Sequence, residues 1–184
     1  YLKLLAIILL YIVNIANVTA KSCDKEPDEK VGFSQAILSC KQGITEFDVG
    51  SADYVSGNIQ LSVLYRKSGD LGSAREILVQ LLTVLPESMQ RESILIQRQL
   101  GATLFYEHNY EEAFEAFNHA LQTAKNLSDD NLIAISYSDL AGIYQLFGDF
   151  ETSSKLLLKS YDIHKANNND VARAIVLTNL GNIY

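Results

Sequence analysis

The 184-residue sequence predicts an all-α fold, a right-handed solenoid of helix-turn-helix repeats. Three observations predict it. Four segments align, beginning at Leu61, Leu100, Leu140 and Leu180, with spacings of 39, 40 and 40 residues. Each of the first three carries a turn signal at its centre: Gly69-Asp70, His108-Asn109 and Gly148-Asp149. Beyond each turn, small and bulky residues recur at helical spacing, and no segment reads as a strand. A lone helix pair cannot bury both of its faces, whereas stacked neighbours can.

Residues 1–20, YLKLLAIILLYIVNIANVTA, stand apart. Lys3 is their only charge, and Leu4 to Val13 is an unbroken apolar run of ten residues. A bilayer-spanning helix needs about 20 apolar residues. The run fits the central region of a secretory signal peptide, with Val18 and Ala20 supplying the small residues before a cut ahead of Lys21. The alternatives are an uncleaved anchor and a lipoprotein acylated at Cys23, although Lys21 and Ser22 break the small-apolar pattern that lipidation requires. Residues 21–30 form a charged linker. Residues 31–54 read as a capping helix or degenerate repeat, with Phe33, Ile37, Cys40 and Ile44 on one stripe. Export would place Cys23 and Cys40 where pairing is allowed. Two free thiols, with Cys40 a plain core residue, is the other reading.

Residues 55–184 hold the array. Each unit opens on leucine and a small residue, Leu61-Ser62, Leu100-Gly101, Leu140-Ala141 and Leu180-Gly181, which lets a second helix approach closely. A large residue follows three later at Tyr65, Leu104, Tyr144 and Tyr184. At the turn, glycine permits the left-handed conformation that ends a helix. Asp or Asn then caps the next helix, and Asn109 with Glu112 has capping-box spacing. The second helix carries Ala74 and Leu78, Ala113 and Phe117, or Ser153 and Leu157, with Leu81, Ala120 and Ser160 three further on. The only methionine is Met89 and the fourth unit stops at Tyr184, so three repeats and part of a fourth are expected to belong to a longer array.

These elements resemble the tetratricopeptide repeat family: the leucine-small-x-x-tyrosine start, the Gly-Asp turn, the alanine-then-bulky second helix, and Pro86 closing the first repeat. Two features depart from it. The family's early tryptophan is replaced by Asn58, Gln97, Tyr137 and Leu177, and the period exceeds the usual 34 residues or so. Armadillo and HEAT repeats share the period but lack the Gly-Asp turn. The resemblance implies a concave groove lined by first-helix residues. The positions matching it include Arg66 and Lys67, Arg98, Phe105 and Tyr106, Gln145, and Asn182. Ile59 and Val63 stand where some members place a Lys and an Asn to clamp a carboxylate, so a chaperone-tail partner is not expected. Phe105 and Tyr106 beside Arg98 suit a peptide anchor, since aromatics and Arg dominate binding hot spots. Packing of Phe105 inside the fold is the competing expectation.

Chemistry is sparse. His108, His119 and His164 have no second ligand at helical spacing and read as exposed or half-buried. Nucleophile-elbow, zinc-protease and phosphate-loop motifs are absent from the sequence. The net charge is −7, from 15 basic and 22 acidic residues, which repels phosphate backbones and leaves no expectation of nucleic-acid binding. No catalytic residues, metal or cofactor are expected within this chain. The expected partner is a protein or peptide in the groove, with membrane contact only through the N-terminal segment or a downstream helix. A leader followed by long repeats is similar to the sensor region of membrane-bound bacterial signalling proteins with diguanylate cyclase or histidine kinase outputs. That implies a periplasmic or extracytoplasmic sensor or adaptor. The alternative is a free-standing exported scaffold or lipoprotein that assembles other proteins.

Overall fold

The structure, a computed structural model, describes Cys23 and residues 32–183. The expected signal segment and all of the linker except Cys23 lie outside the described residues. Among these, every regular element is helical: α1 Gly32–Ile44, α2 Ala52–Ser68, α3 Leu71–Val84, α4 Gln90–Tyr106, α5 Tyr110–Asn126, α6 Asp130–Leu146, α7 Phe150–Ala166 and α8 Asp170–Gly181. The all-α repeat fold expected from the sequence is therefore observed. No helix among the described residues is long and apolar enough to cross a membrane.

Five of the turns share one construction. Gly69 and Gly148 adopt the left-handed conformation at φ 89° and 77°. His108, Ser128 and Asn168 take the same conformation without being glycine, at φ 65°, 54° and 52°. The next residue is Asp or Asn in every case. Asp70, Asp129, Asp149 and Asn169 each accept a hydrogen bond from the backbone N–H three residues on, at 3.0 to 3.1 Å. These bonds satisfy N–H groups that a helix start leaves without partners. Asn109 departs from the capping-box expectation. Its amide donates to Glu107 at 3.3 Å, and α5 has no side-chain cap. The same device also links one pair to the next, at Ser128-Asp129 and Asn168-Asn169.

The chain divides into two compact units, Tyr1–Pro86 and Glu87–Tyr184. In the first, α1 packs on α2 and α2 on α3. Its core gathers Cys23, Ala36, Cys40, Ile44, Leu61 and Leu64, with Ile37 and Tyr65 half-buried against them. Gly57 makes the α1–α2 contact close: a Cβ there would lie 2.8 Å from Ile44 Cγ1. Cys23 and Cys40 are joined by a disulfide, their Cα atoms 4.6 Å apart. Ile59 is buried, so it packs in this unit and does not line a groove.

In the second unit α4 pairs with α5 and α6 with α7, while α5–α6 and α7–α8 contacts join successive pairs. The small residue at the start of each repeat matters most at Gly101, where a Cβ would lie 2.7 Å from both Cδ1 and Cε1 of the buried Phe117 ring. One repeat later the same two register positions hold Ala141 and Leu157, which pack together in one core cluster. A larger residue on one helix is matched by a smaller one on its partner. Gly101→Ala is expected to destabilise the chain by about 1–3 kcal/mol through overpacking. Adding Phe117→Leu restores most of that loss, as read by urea denaturation; equal losses in the single and double variants would dismiss this pairing.

His164, expected to be exposed or half-buried, is buried near the end of α7, and its Nδ1 has no hydrogen-bond partner. In the preceding repeat this register position is Ala124, packed with Ile94 and Leu132. Those two neighbours become Ala134 and Ala172 in the repeat that carries His164. Burial disfavours the imidazolium and lowers the ring's pKa from its ordinary value of 6.5. The unfolded chain therefore takes up this proton more readily than the folded one. The histidine's contribution is intact above the unfolded pKa and is lost as pH falls through that value toward the folded one. Denaturation midpoints are expected to slope downward as pH falls through the ordinary imidazole value toward the folded one. His164→Leu should flatten this slope, and an unchanged slope would assign it elsewhere.

Candidate functional site: the first-helix positions of the second unit

Of the groove positions implied by the resemblance, Arg98, Phe105 and Tyr106 fall on α4, Gln145 on α6, and Asn182 at the end of α8. Helices α4 and α6 touch directly. Arg66 and Lys67 occupy the last turn of α2, in the other compact unit. There their charge complements the helix's negative end.

Arg98 is already engaged. Its guanidinium forms a two-pronged ion pair with Asp139 on α6: Nε donates to Oδ2, and a terminal NH2 donates to Oδ1 at 3.1 Å. Both side chains are largely buried, with relative exposures of 17% and 21%. Burial pushes the Asp139 carboxyl up from its ordinary value, and the hydrogen bond and charge of Arg98 pull it back down. Asp139 is not among the positions the resemblance implies. It sits one position beyond the register equivalent of Arg98, so the pair runs diagonally between repeats and leaves no short-range signal.

Phe105 and Tyr106 part company. Phe105 is half-buried against the core cluster of α4 to α7, as its packing expectation had it, while Tyr106 is 58% exposed. Their rings still meet edge to face, with centroids 6.0 Å apart. Gln145 Nε2 donates to the backbone carbonyl of Asn182 at 3.4 Å, tying α6 to the end of α8. Between these points a Cβ at Gly142 would meet nothing within 4 Å, so the surface is open there. The site thus offers one exposed phenol, one charge-paired fork, side-chain and backbone hydrogen-bonding groups, and open space. No group of three or more metal-ligating side chains occurs among the described residues.

The fold and this distribution of polar and aromatic groups define a helical-repeat protein. Residues 92–166 match the tetratricopeptide repeat family. That segment covers α5, α6 and α7 whole and nearly all of α4. No curated protein matches the sequence. Several solved structures share the fold. The apo form of RapI superposes with a TM-score of 0.68 at 17% identity, over 82% of this chain and 43% of that one. Bacillus thuringiensis PlcR, in complex with the peptide PapR7 and DNA, gives 0.71 at 15% identity, over 80% and 55%. A Podosopora anserina protein of nearly identical TPR-like repeats gives 0.63 at 15% identity, over 95% and 85%. The chain spans about half the length of the RapI and PlcR chains it matches.

Proposed function

We propose that this chain is a protein- or peptide-binding module and that the first-helix face of α4 and α6 is its binding surface. The observation that carries the reading is Tyr106, a large aromatic left 58% exposed on the helix that holds the fixed Arg98–Asp139 pair. A pre-ordered ring loses little entropy when a partner covers it, and Tyr and Arg are over-represented at binding hot spots. The PlcR structure of similar fold was solved with a peptide, which is compatible with this use of the fold. Crosslinking and pull-down with the purified chain tests it. Tyr106→Ala is expected to weaken capture by about 2 kcal/mol, whereas Leu158→Ser, at an exposed position on α7, leaves it unchanged. Equal capture by wild type and Tyr106→Ala would sink the assignment.

We further infer that the module is exported, works at the periplasmic or extracytoplasmic face of a membrane, and forms the sensor or adaptor part of a longer signalling protein of diguanylate cyclase or histidine kinase type. The apolar run of residues 1–20 and the Cys23–Cys40 disulfide support export. The disulfide also counts against acylation of Cys23, because a bonded sulfur has no thiol to carry a thioether. An exported scaffold without an output domain is the second reading. Intact-mass measurement on the exported protein tests the export step. An N-terminus at Lys21 is expected; retention of residues 1–20 or a lipid adduct on Cys23 would overturn it.

A further inference from the structure

A second surface lies at the turns of the second unit, away from the Arg98–Asp139 pair. Its floor is a ladder of rings in edge-to-face contact. Phe105 meets Tyr110 at 5.6 Å between centroids, and Tyr110 meets Phe147 at 6.0 Å. His108 braces the middle of the ladder, its Nδ1 2.6 Å from the Tyr110 hydroxyl oxygen. The ladder joins the end of α4, the start of α5 and the end of α6. Phe147 is 62% exposed, and Phe150, across the α6–α7 turn, is 49% exposed. Phe150 holds the register position at which, one repeat earlier, Tyr110 stacks on Phe147. Single exposed apolar residues are ordinary, whereas aromatics clustered at two successive turns mark an interaction surface.

The charge at these turns is one-sided. Residues 106–112 and 146–152 contain five carboxylates and no lysine or arginine. Glu111, Glu112, Asp149 and Glu151 are exposed, and among the described residues the cation bonded to them is Lys155, on Glu151, at 2.5 Å. A second copy of the chain would bring like charges together at this patch, and an anionic lipid surface would be repelled. Aromatic faces rimmed by carboxylates suit cationic groups spaced by apolar ones, which gain cation–π, ion-pair and apolar contacts together.

We propose that the turn edge formed by Tyr110, Phe147 and Phe150, with its carboxylate rim, docks a basic apolar peptide segment, one in which lysine or arginine alternates with leucine or phenylalanine. This surface adjoins the first-helix face proposed above through Phe105, whose ring meets both Tyr106 and Tyr110. The stacked rings are held before the partner arrives, so binding orders few side chains. The acidic rim sets the sign of the partner and speeds its arrival at low ionic strength.

Fluorescence anisotropy with the whole chain and three short labelled peptides tests the proposal. The first alternates leucine and phenylalanine with lysine and arginine. The second replaces every cation with glutamate, and the third replaces every apolar residue with serine. The first is expected to bind and to weaken as salt is raised, the second not to bind, and the third to bind about tenfold more weakly. Phe147→Ser and Phe150→Ser should each weaken the first peptide by about tenfold, with circular dichroism unchanged. Glu111→Gln with Glu151→Gln should reduce its salt dependence. Leu158→Ser should change nothing. Equal binding of the first and second peptides, or full binding by folded Phe147→Ser and Phe150→Ser chains, would overturn the proposal. So would light scattering that shows a dimer abolished by Phe147→Ser, since the occupant would then be a second copy.

Discussion

Replacing Arg98 with alanine is expected to destabilise the chain by about 3 kcal/mol at neutral pH. The loss is not simply that of one ion pair. Asp139 is only 21% exposed, and without the guanidinium its carboxylate remains in a poorly hydrated site with no opposite charge. The same burial that already raises the Asp139 pKa would then act without the opposing pull. A buried acid whose pKa is raised folds more favourably when protonated. Its penalty is in force above the folded pKa and is relieved as pH falls through it. The gap between wild type and Arg98→Ala should therefore narrow on acidification. Joint replacement, Arg98→Met with Asp139→Leu, should recover most of the stability, because paired apolar groups carry no desolvation penalty. Urea denaturation of the three chains at two pH values measures all of this. A pH-independent gap would show that Arg98 acts through packing of its stem and not through Asp139.

The second large effect belongs to the first compact unit. Reduction of the Cys23–Cys40 disulfide should lower the unfolding free energy by about 3 kcal/mol, the chain-entropy value for a loop of this size. The two residues are 17 apart in sequence, so the bond closes one short loop. Both cysteines are buried with Ala36, Ile44, Leu61 and Leu64, so the bond also ties Cys23 to the core beneath α1 and α2. Denaturation with and without a thiol reductant, beside Cys40→Ser, measures it. Reduced wild type and Cys40→Ser should shift together. No shift on reduction would mean that packing alone holds Cys23 in place. In a reducing compartment this stabilisation is absent, which joins the prediction to the proposed export.

The small stripe on the second helices shows how far pattern alone reaches. Ala113, Ala120, Ser153 and Ser160 are all fully buried, at the positions where helical periodicity puts the inner face. Turn chemistry was also readable where glycine marks it, at Gly69 and Gly148. At Ser128 and Asn168 the same left-handed geometry is carried by residues that tolerate it less well, and there the signal vanished. Among the site residues, Tyr106 was singled out and stands exposed. Asp139 and Phe147 went unnoticed because each is one residue in a helix or turn until the fold places it against a residue about 40 positions away.

What the sequence determined by itself was the helical class, the 40-residue period, the caps at Asp70 and Asp149 and the small-against-bulky packing within each pair. Those properties are local, set by backbone preference and by spacing within a turn or two of helix. The tertiary structure decided which partners meet, Arg98 with Asp139 and Tyr110 with Phe147, and that His164 is buried. Each of these depends on the stacking of one repeat on the next. Stacking is driven by burial of apolar area, which is non-directional, and so it leaves no mark on the order of residues along the chain that would name the polar and aromatic pairs it creates.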